Sequence, residues 1–466
     1  MDIKDKHFSA RASAIPALLR RQLQEAQSLG ALGLAGALLQ AVSIGLISGL
    51  VIGVFRIAYQ ALEALSVERT ARWLASGPEG LALVAAGLAF LWLVSCVLLR
   101  IEPMISGSGI PQVELAQAGL YPPMVWHRLL AAKFLATLAS LTAGLSVGRQ
   151  GPSIQMGAAV GVGVGTLLHG KHAQEMHRYL SAGAVAGMSA AFSSPLAGLL
   201  FAIEDMRVVV EPLMLVFLGV ASLTAWACVT FLLGLPEVMP FDMLAPLTLL
   251  QHAAVVPLAL LMGLLGAFYC QAFVRTTLWE DRCQWLKGGR RIAVPFIAAG
   301  ILLALYPDVI VGFAPDPLDL ELTKIAAPAL LLLLAVKIAF STVCFASGVA
   351  GGILIPILMV GATAGTLCAG AMLSPGLASA SQYGTLMSVC MAGFFAAVVR
   401  TPLTAAALLL EITGAWTSAP AIIASALIAS WTATRTGTRP IYESMRARIL
   451  AGSTPKHPHE QGAAHG

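Results

Sequence analysis

Residues 338–399 read IAFSTVCFASGVAGGILIPILMVGATAGTLCAGAMLSPGLASASQYGTLMSVCMAGFFAAVV, and the whole stretch contains no Asp, Glu, Lys or Arg. A soluble fold cannot keep so long an uncharged stretch away from water, whereas a bilayer takes up about 20 apolar residues in each span. Over all 466 residues, 58% are hydrophobic and 11% are charged, whereas soluble domains carry about 25% charged residues. The composition indicates a polytopic membrane protein. It excludes a soluble enzyme, a nucleic-acid-binding protein and a disordered chain.

The charged residues that remain are distributed unevenly, and this predicts the orientation of the chain. Lys and Arg are concentrated in residues 1–30, in residues 275–291 and in residues 435–466, whereas residues 235–246 and 307–321 carry acids and no base. Loops rich in Lys and Arg stay on the cytoplasmic side of a membrane. We therefore read the net charge of +5 as a topology signal, and we expect both termini and the 275–291 loop to be cytoplasmic.

The chain contains an internal repeat. Residues 132–134 are matched by residues 336–338, each with a lysine in the middle, and at the same offset Pro152 is matched by Pro356. Further along, each half has a Pro-Leu pair followed by a glutamate; these are Pro195-Leu196 with Glu204, and Pro402-Leu403 with Glu411. The recurrence of Lys, Pro and Glu in one order indicates two related halves.

The repeat and the charge pattern together predict the domain organisation. We expect a cytoplasmic segment at 1–30, a first transmembrane repeat at 31–234, a second at 247–434, and a final helix with a cytoplasmic tail at 435–466. The first repeat begins inside, whereas the basic loop after the second repeat's first span requires that span to begin outside. Inverted repeats place substrate sites near the midplane, where broken helices meet. The predicted fold class is an all-α polytopic membrane protein with two inverted repeats and a midplane anion site.

Four short segments combine Gly or Pro with the start of a predicted helix: 107–111 (GSGIP), 148–152 (GRQGP), 351–356 (GGILIP) and 439–442 (RPIY). Pro fits the first turn of a helix, and Gly lets backbone N–H groups face a ligand without a Cβ in the way. A helix N-terminus carries roughly half a positive charge, so several of them directed at one point form an anion site. Such a site lacks the full charge of a buried Lys, which would hold a small anion too tightly to release it.

These segments resemble the signature motifs of the CLC family of chloride channels and proton/chloride antiporters. GSGIP at 107–111, GRQGP at 148–152 and GVAGGILIP at 348–356 occur in the order of the family motifs, and Pro440-Ile441-Tyr442 resembles the family's terminal helix with its pore tyrosine. The resemblance covers nearly the whole chain. It implies a homodimer with a separate pore in each subunit and chloride as the transported ligand. We also expect no cofactor and no metal site.

The resemblance also assigns the anion-binding residues. In the family, a serine hydroxyl, a tyrosine hydroxyl and two backbone amides hold the central chloride, and amides of the second motif line an external site. On this chain the residues are Gly107, Ser108, Ile353, Leu354 and Tyr442 at the central site, and Arg149, Gln150 and Gly151 at the external site. Serine in the first motif is similar to the chloride-preferring members of the family.

Gln150 departs from the family pattern. Most members have Glu at this position, where it serves as the gate and as the external proton carrier. An amide has nearly the shape of a protonated carboxyl group, but it has no charge and no proton to exchange near neutral pH. We therefore expect chloride movement through this chain to be uncoupled from protons.

Asp205 keeps the opposite hypothesis open. The internal proton carrier of the antiporters is a Glu that follows another Glu, and on this chain the position falls on Asp205 after Glu204. Asp205 and Glu204 are therefore the candidate internal proton site. A structural role is the alternative for these carboxylates and for Glu114, because intramembrane acids pair with bases such as Lys133 or Arg207 to offset desolvation.

The sequence thus favours passive chloride transport, with a proton/chloride antiporter using Asp205 as the alternative. An intramembrane enzyme is a third class without support, because the chain has no HExxH motif and no nucleophile elbow. We expect bromide and nitrate to pass as well as chloride, and we expect no nucleic-acid partner. The family's cytoplasmic nucleotide-binding modules are expected to be missing, which suggests a bacterial inner-membrane protein.

Overall fold

The computed structural model describes most of the chain. The described residues are 30–120, 124–170, 176–208, 211–235, 239, 241, 244–283, 285–305 and 326–453. The N-terminal segment, the C-terminal tail and the acidic loop at 307–321 lie outside them, and so do part of the acidic 235–246 loop and residue 284 of the basic loop. The predicted orientation of the termini, which rests on these segments, therefore remains a prediction.

The first half of the described chain contains eight α-helices. They are α1 Gly30–Ala75, α2 Pro78–Ile101, α3 Ile110–Gln117, α4 Trp126–Thr142, α5 Gln150–His169, α6 Met176–Phe192, α7 Pro195–Glu204 and α8 Pro212–Ala227. A 3₁₀ turn at Pro103–Ile105 precedes α3, and a π-helical turn at Cys228–Leu232 extends α8.

The second half of the described chain contains eight more. They are α9 Leu249–Arg282, α10 Gly289–Leu305, α11 Ala327–Ser347, α12 Leu354–Leu373, α13 Tyr383–Val399, α14 Pro402–Thr413, α15 Ala419–Arg435 and α16 Ile441–Ser453. In the described part of the chain, eight helices are long and apolar enough to cross a membrane. The protein is therefore a multi-pass membrane protein, as the composition predicted.

The repeat predicted from sequence reappears in the helices. α5 and α12 are each 20 residues long, and α6 and α13 are each 17 residues long. In each half the long helix that starts at a Gly-rich break packs against the helix that follows it. All residues of α13 and nearly all of α6 are buried, so these two helices form the centre of the molecule.

The two repeats also hold each other through a reciprocal exchange of carboxylates. Glu204 at the end of α7 accepts hydrogen bonds from the start of α14, and Glu411 in α14 accepts hydrogen bonds from the start of α7. The donor N–H groups and N–O distances are Leu403 (3.0 Å) and Thr404 (2.7 Å) to Glu204, and Leu196 (2.9 Å) and Ala197 (2.8 Å) to Glu411. A carboxylate at a helix N-terminus satisfies unpaired N–H groups and opposes the positive end of the helix dipole.

Candidate anion-binding site

The four Gly/Pro segments predicted from sequence all precede a helix, and backbone hydrogen bonds tie three of them together. Gly107 donates to the carbonyl of Gly348 over 3.0 Å and accepts from Gly351 over 3.1 Å. Gly148 and Gly352 form an antiparallel bridge, with N–O distances of 2.5 and 2.6 Å. The starts of α3, α5 and α12 are therefore fixed at one place by the main chain itself.

None of these three helices has a side chain that caps its N-terminus. Gly109, Arg149 and Ile353 occupy the N-cap positions of α3, α5 and α12, and none of the three makes a side-chain cap hydrogen bond. The first intrahelical bonds run from Ser153 to Arg149 and from Ile357 to Ile353. The earlier N–H groups, including those assigned to chloride, thus have no acceptor within their own helix.

Glycine is required where the three segments meet. A Cβ on Gly151 would lie 2.3 Å from Ser108 Oγ and 3.2 Å from Gly352 Cα, and a Cβ on Gly352 would lie 2.7 Å from the Gly151 nitrogen. No side chain larger than hydrogen fits at these distances. The contacts place Ser108, Gly151 and the start of α12 next to one another.

Two buried hydroxyl groups lie where the starts of α3, α5 and α12 meet. Ser108 and Tyr442 are each only 2% exposed, and Tyr442 Oη lies near the Ser108 hydroxyl. Apart from this approach to each other, neither oxygen has a hydrogen-bond partner within the described part of the chain. Buried polar groups normally have partners, and leaving one without any costs about 1–3 kcal/mol. Two orphaned O–H groups beside uncapped N-termini therefore indicate a place for an anion.

Gln150 is buried at the start of α5. Its side chain is fully inaccessible, and neither its Nε2 nor its Oε1 has a partner among the described residues. Oε1 lies 2.7 Å from where a Cβ on Gly148 would be, so the amide folds back against its own motif. The residue that sequence analysis singled out as the gate position thus lies at the site with its polar atoms unused.

Side chains that the motifs do not contain hold the Ser108 segment in place. Lys133 Nζ donates to the carbonyls of Ile105 and Gly107, both over 2.8 Å, and two glutamines bind neighbouring carbonyls. Gln112 Nε2 donates to Ser106 O over 2.7 Å, and Gln155 Nε2 donates to Met104 O over 2.8 Å. Sequence analysis noted Lys133 as a repeat marker and missed both glutamines, because nothing in their spacing indicates a backbone acceptor.

A pair of carboxylates lies on the Tyr442 side of the site. Glu114 in α3 and Asp205 after α7 are within hydrogen-bonding reach of each other, and both act electrostatically on Tyr442. Glu114 Oε2 accepts a hydrogen bond from Arg446 Nη1, whereas Glu114 Oε1 and Asp205 Oδ2 have no partner within the described residues. Two adjacent carboxylates can share a proton, which turns their repulsion into a hydrogen bond.

The structure corrects the expected pairing of these acids with Lys133, whereas Arg207 is close enough to act on Glu114 through its charge. Lys133 binds backbone carbonyls, and Glu114 pairs with Arg446, which sequence analysis did not consider. Glu204 uses both oxygens on the start of α14. Of the two candidate internal proton residues, Asp205 keeps an oxygen without a partner, whereas Glu204 serves as a helix cap.

Comparison with known proteins shows the family to which the chain is related. The family described as Voltage gated chloride channel matches residues 86–434. An H(+)/Cl(-) exchange transporter ClcA of Yersinia pestis bv. Antiqua (strain Angola) is 31% identical over 76% of this chain and 74% of the relative. A second ClcA, from Cronobacter sakazakii (strain ATCC BAA-894), is 30% identical over 84% of this chain and 87% of the relative.

Solved structures share the fold. A slow cyanobacterial Cl-/H+ antiporter is 26% identical, with a TM-score of 0.80 over 90% of this chain and 98% of that chain. A eukaryotic CLC transporter has a TM-score of 0.72 at 22% identity over 89% of this chain and 74% of that chain, and therefore supports the fold alone. From its motifs, its helix order and these matches, we conclude that the chain belongs to the CLC family of voltage gated chloride channels and related transporters.

Proposed function

We propose that this protein transports chloride across a membrane through the place where α3, α5, α12 and α16 begin. The observation that carries the proposal is the pair of orphaned hydroxyl groups, Ser108 Oγ and Tyr442 Oη, beside helix N-termini without side-chain caps. Neutral O–H and N–H donors bind a small anion by hydrogen bonds and helix dipoles. The anion is therefore held without a full opposite charge, and it can leave on the other side.

Proton-coupled exchange is the better-supported mode of this transport. The two relatives described above are named H(+)/Cl(-) exchange transporters, and the matching structure at TM-score 0.80 is a Cl-/H+ antiporter. This chain has the inner carboxylates Asp205 and Glu114, each with an oxygen that has no partner among the described residues. These groups supply a place for a proton beside Tyr442.

Passive chloride movement is the second candidate, and Gln150 favours it. The amide occupies the position at which a carboxylate would exchange protons with the outer solution, and it has no ionisable group. An exchanger with Gln150 would need another outer group to take up the proton. The inner carboxylates then serve packing and the Arg446 ion pair alone.

The purified protein in chloride-loaded liposomes separates the two modes. Exchange predicts that chloride efflux drives protons inward against their gradient, and that Asp205→Asn abolishes proton movement while chloride still flows. Passive transport predicts an unchanged external pH with the wild-type protein. An absence of chloride flux in wild-type liposomes would overturn the proposal as a whole.

We also propose a homodimer with one pathway in each subunit, placed in a bacterial inner membrane with both termini cytoplasmic. The basic 275–291 loop supports the orientation, and reporter fusions at each terminus test it. Bromide and nitrate are proposed as further substrates, because neutral hydrogen-bond donors distinguish anions by their size and charge rather than by their chemical element. Competition with labelled chloride uptake tests this selectivity.

A further inference from the structure

One face of α1 presents polar side chains to Arg149. Arg56, Tyr59 and Glu63 are three and four positions apart, so they lie on the same side of the helix. Tyr59 Oη donates a 2.6 Å hydrogen bond to Glu63 Oε1. The guanidinium carbon of Arg149 lies 5.5 Å from the centre of the Tyr59 ring, in a cation–π contact. The tyrosine thus stands between the arginine and the carboxylate and touches both.

Arg149 lies at the part of the anion site that is formed by the start of α5. It is the N-cap residue of α5, next to Gln150, and its Nε is buried without a partner among the described residues. Arg56 is 1% exposed and donates through Nη1 to Ala190 O over 3.0 Å and to Ser193 Oγ over 3.1 Å. Arg56 is close enough to Arg149 for the two positive charges to act on each other.

Glu63 is a carboxylate that offsets the positive charge of Arg149. Its charge acts on Arg149, and it also lines a cavity of about 240 Å³ between α1, α2 and α4. Among the described residues that line this cavity, Arg69 is the other charged side chain and Glu63 is the acid. No second carboxylate in the described lining could replace it.

We propose that Tyr59 and Glu63 position Arg149 and set how strongly the α5 end of the pathway attracts anions. Two arginines near a chloride site with no acid beside them would hold the anion longer than transport allows. Glu63 weakens that attraction, and its hydrogen bond from Tyr59 keeps it from pairing directly with Arg149. Glu63 is therefore a positioning residue that sets the chloride concentration at which transport is half-maximal. This inference rests on the proposed chloride transport.

Chloride flux into liposomes, measured against chloride concentration, tests the proposal. Glu63→Gln removes the offsetting charge, so we expect the half-saturating chloride concentration to fall about threefold or more, with a steeper dependence on ionic strength. Tyr59→Phe frees Glu63 to approach Arg149, so the half-saturating concentration should rise. Glu63→Asp keeps the negative charge, so its half-saturating chloride concentration should equal that of the wild-type protein.

Glu68→Gln is the matched control. Glu68 lies on the same helix, is exposed, and pairs with Arg72 rather than with Arg149, so the variant removes the same charge without touching the cluster. Equal half-saturating concentrations in Glu63→Gln and Glu68→Gln would overturn the inference while leaving the proposed function intact. If Glu63→Gln does not fold, Tyr59→Phe decides: an unchanged half-saturating concentration then overturns it. Wild-type protein without any flux contradicts the proposed function instead.

Discussion

Two pairs of helix N-termini in this molecule occupy equivalent positions in the two repeats, but they differ in whether a carboxylate binds their first N–H groups. α7 and α14 begin at Pro195 and Pro402, and each has its first N–H groups bound by a glutamate of the other repeat. α5 and α12 carry their prolines at the third helical position, and neither has a side-chain cap. One pair is closed by the chain's own carboxylates, and the other is the pair that we propose binds an external anion.

The comparison teaches that a helix N-terminus attracts negative charge whatever its role. In our proposal, a helix N-terminus serves as a structural contact where a carboxylate of the same chain reaches it, and as part of the transport site where none does. Glu204 and Glu411 reach α14 and α7. The first helical residue of α5, Gln150, carries an amide, which cannot neutralise the dipole.

Gln150→Glu should place a carboxylate at the N-terminus of α5, as at α7 and α14. We expect this variant to show the largest effect of all, on chloride flux. Charge-assisted hydrogen bonds from the α5 N–H groups are worth about 1.5–3 kcal/mol, so chloride flux at neutral pH should fall about 10- to 100-fold. Acidification should restore it, because a protonated carboxyl group loses its attraction for the N-terminus. Flux in liposomes between pH 5 and pH 8 measures both effects.

Gln150→Leu is the control for that variant, because it changes shape without adding charge. Its flux should vary little with pH. If Gln150→Glu conducts chloride as fast as the wild type at neutral pH, the α5 N-terminus is not part of the pathway.

Removing the closing carboxylates is the second way to test the comparison. Glu204→Gln or Glu411→Gln leaves N–H groups of α14 or α7 facing an amide, and half-buried charged caps of this kind contribute about 1–2 kcal/mol. We expect each variant to lower the midpoint of thermal unfolding in detergent. Glu211→Gln is the control, because Glu211 stands at the N-cap of α8 and makes no side-chain cap bond. Equal midpoints for all three would show that the exchange between the repeats contributes no stability.

The smallest effect is expected from the hydroxyl groups at the open site. Ser108→Ala and Tyr442→Phe each remove one donor, worth about 0.5–1.5 kcal/mol, so the chloride dissociation constant should rise roughly two- to tenfold in each variant. Calorimetric titration with chloride measures this. Ser95→Ala removes another buried hydroxyl without a described partner, on α2, and should leave the binding constant unchanged. An unchanged constant in the Ser108/Tyr442 double variant would place the anion elsewhere.

Sequence analysis predicted the uncapped N-termini of α5 and α12 better than the carboxylate-capped N-termini of α7 and α14. The four breaks all precede helices, and the residues assigned around Ser108 and Gly151 do meet, because Gly and Pro act on local backbone geometry. The exchange between Glu204 and Glu411 was not foreseen, since each glutamate binds N–H groups about 200 residues away. Sequence analysis instead offered Glu204 as a proton residue and Lys133 as a partner for acids.

The sequence by itself determined the membrane class, the two repeats, the four helix starts and the absence of an ionisable group at Gln150, because hydropathy, local backbone preference and residue chemistry can be read along the chain. Only the tertiary structure decided which side chains use those helix starts. It brought Lys133 to the carbonyls of Ile105 and Gly107, and Arg446 to Glu114. Hydrogen bonds and ion pairs act over a few ångströms in space, and the distance between two residues along the chain does not determine that separation.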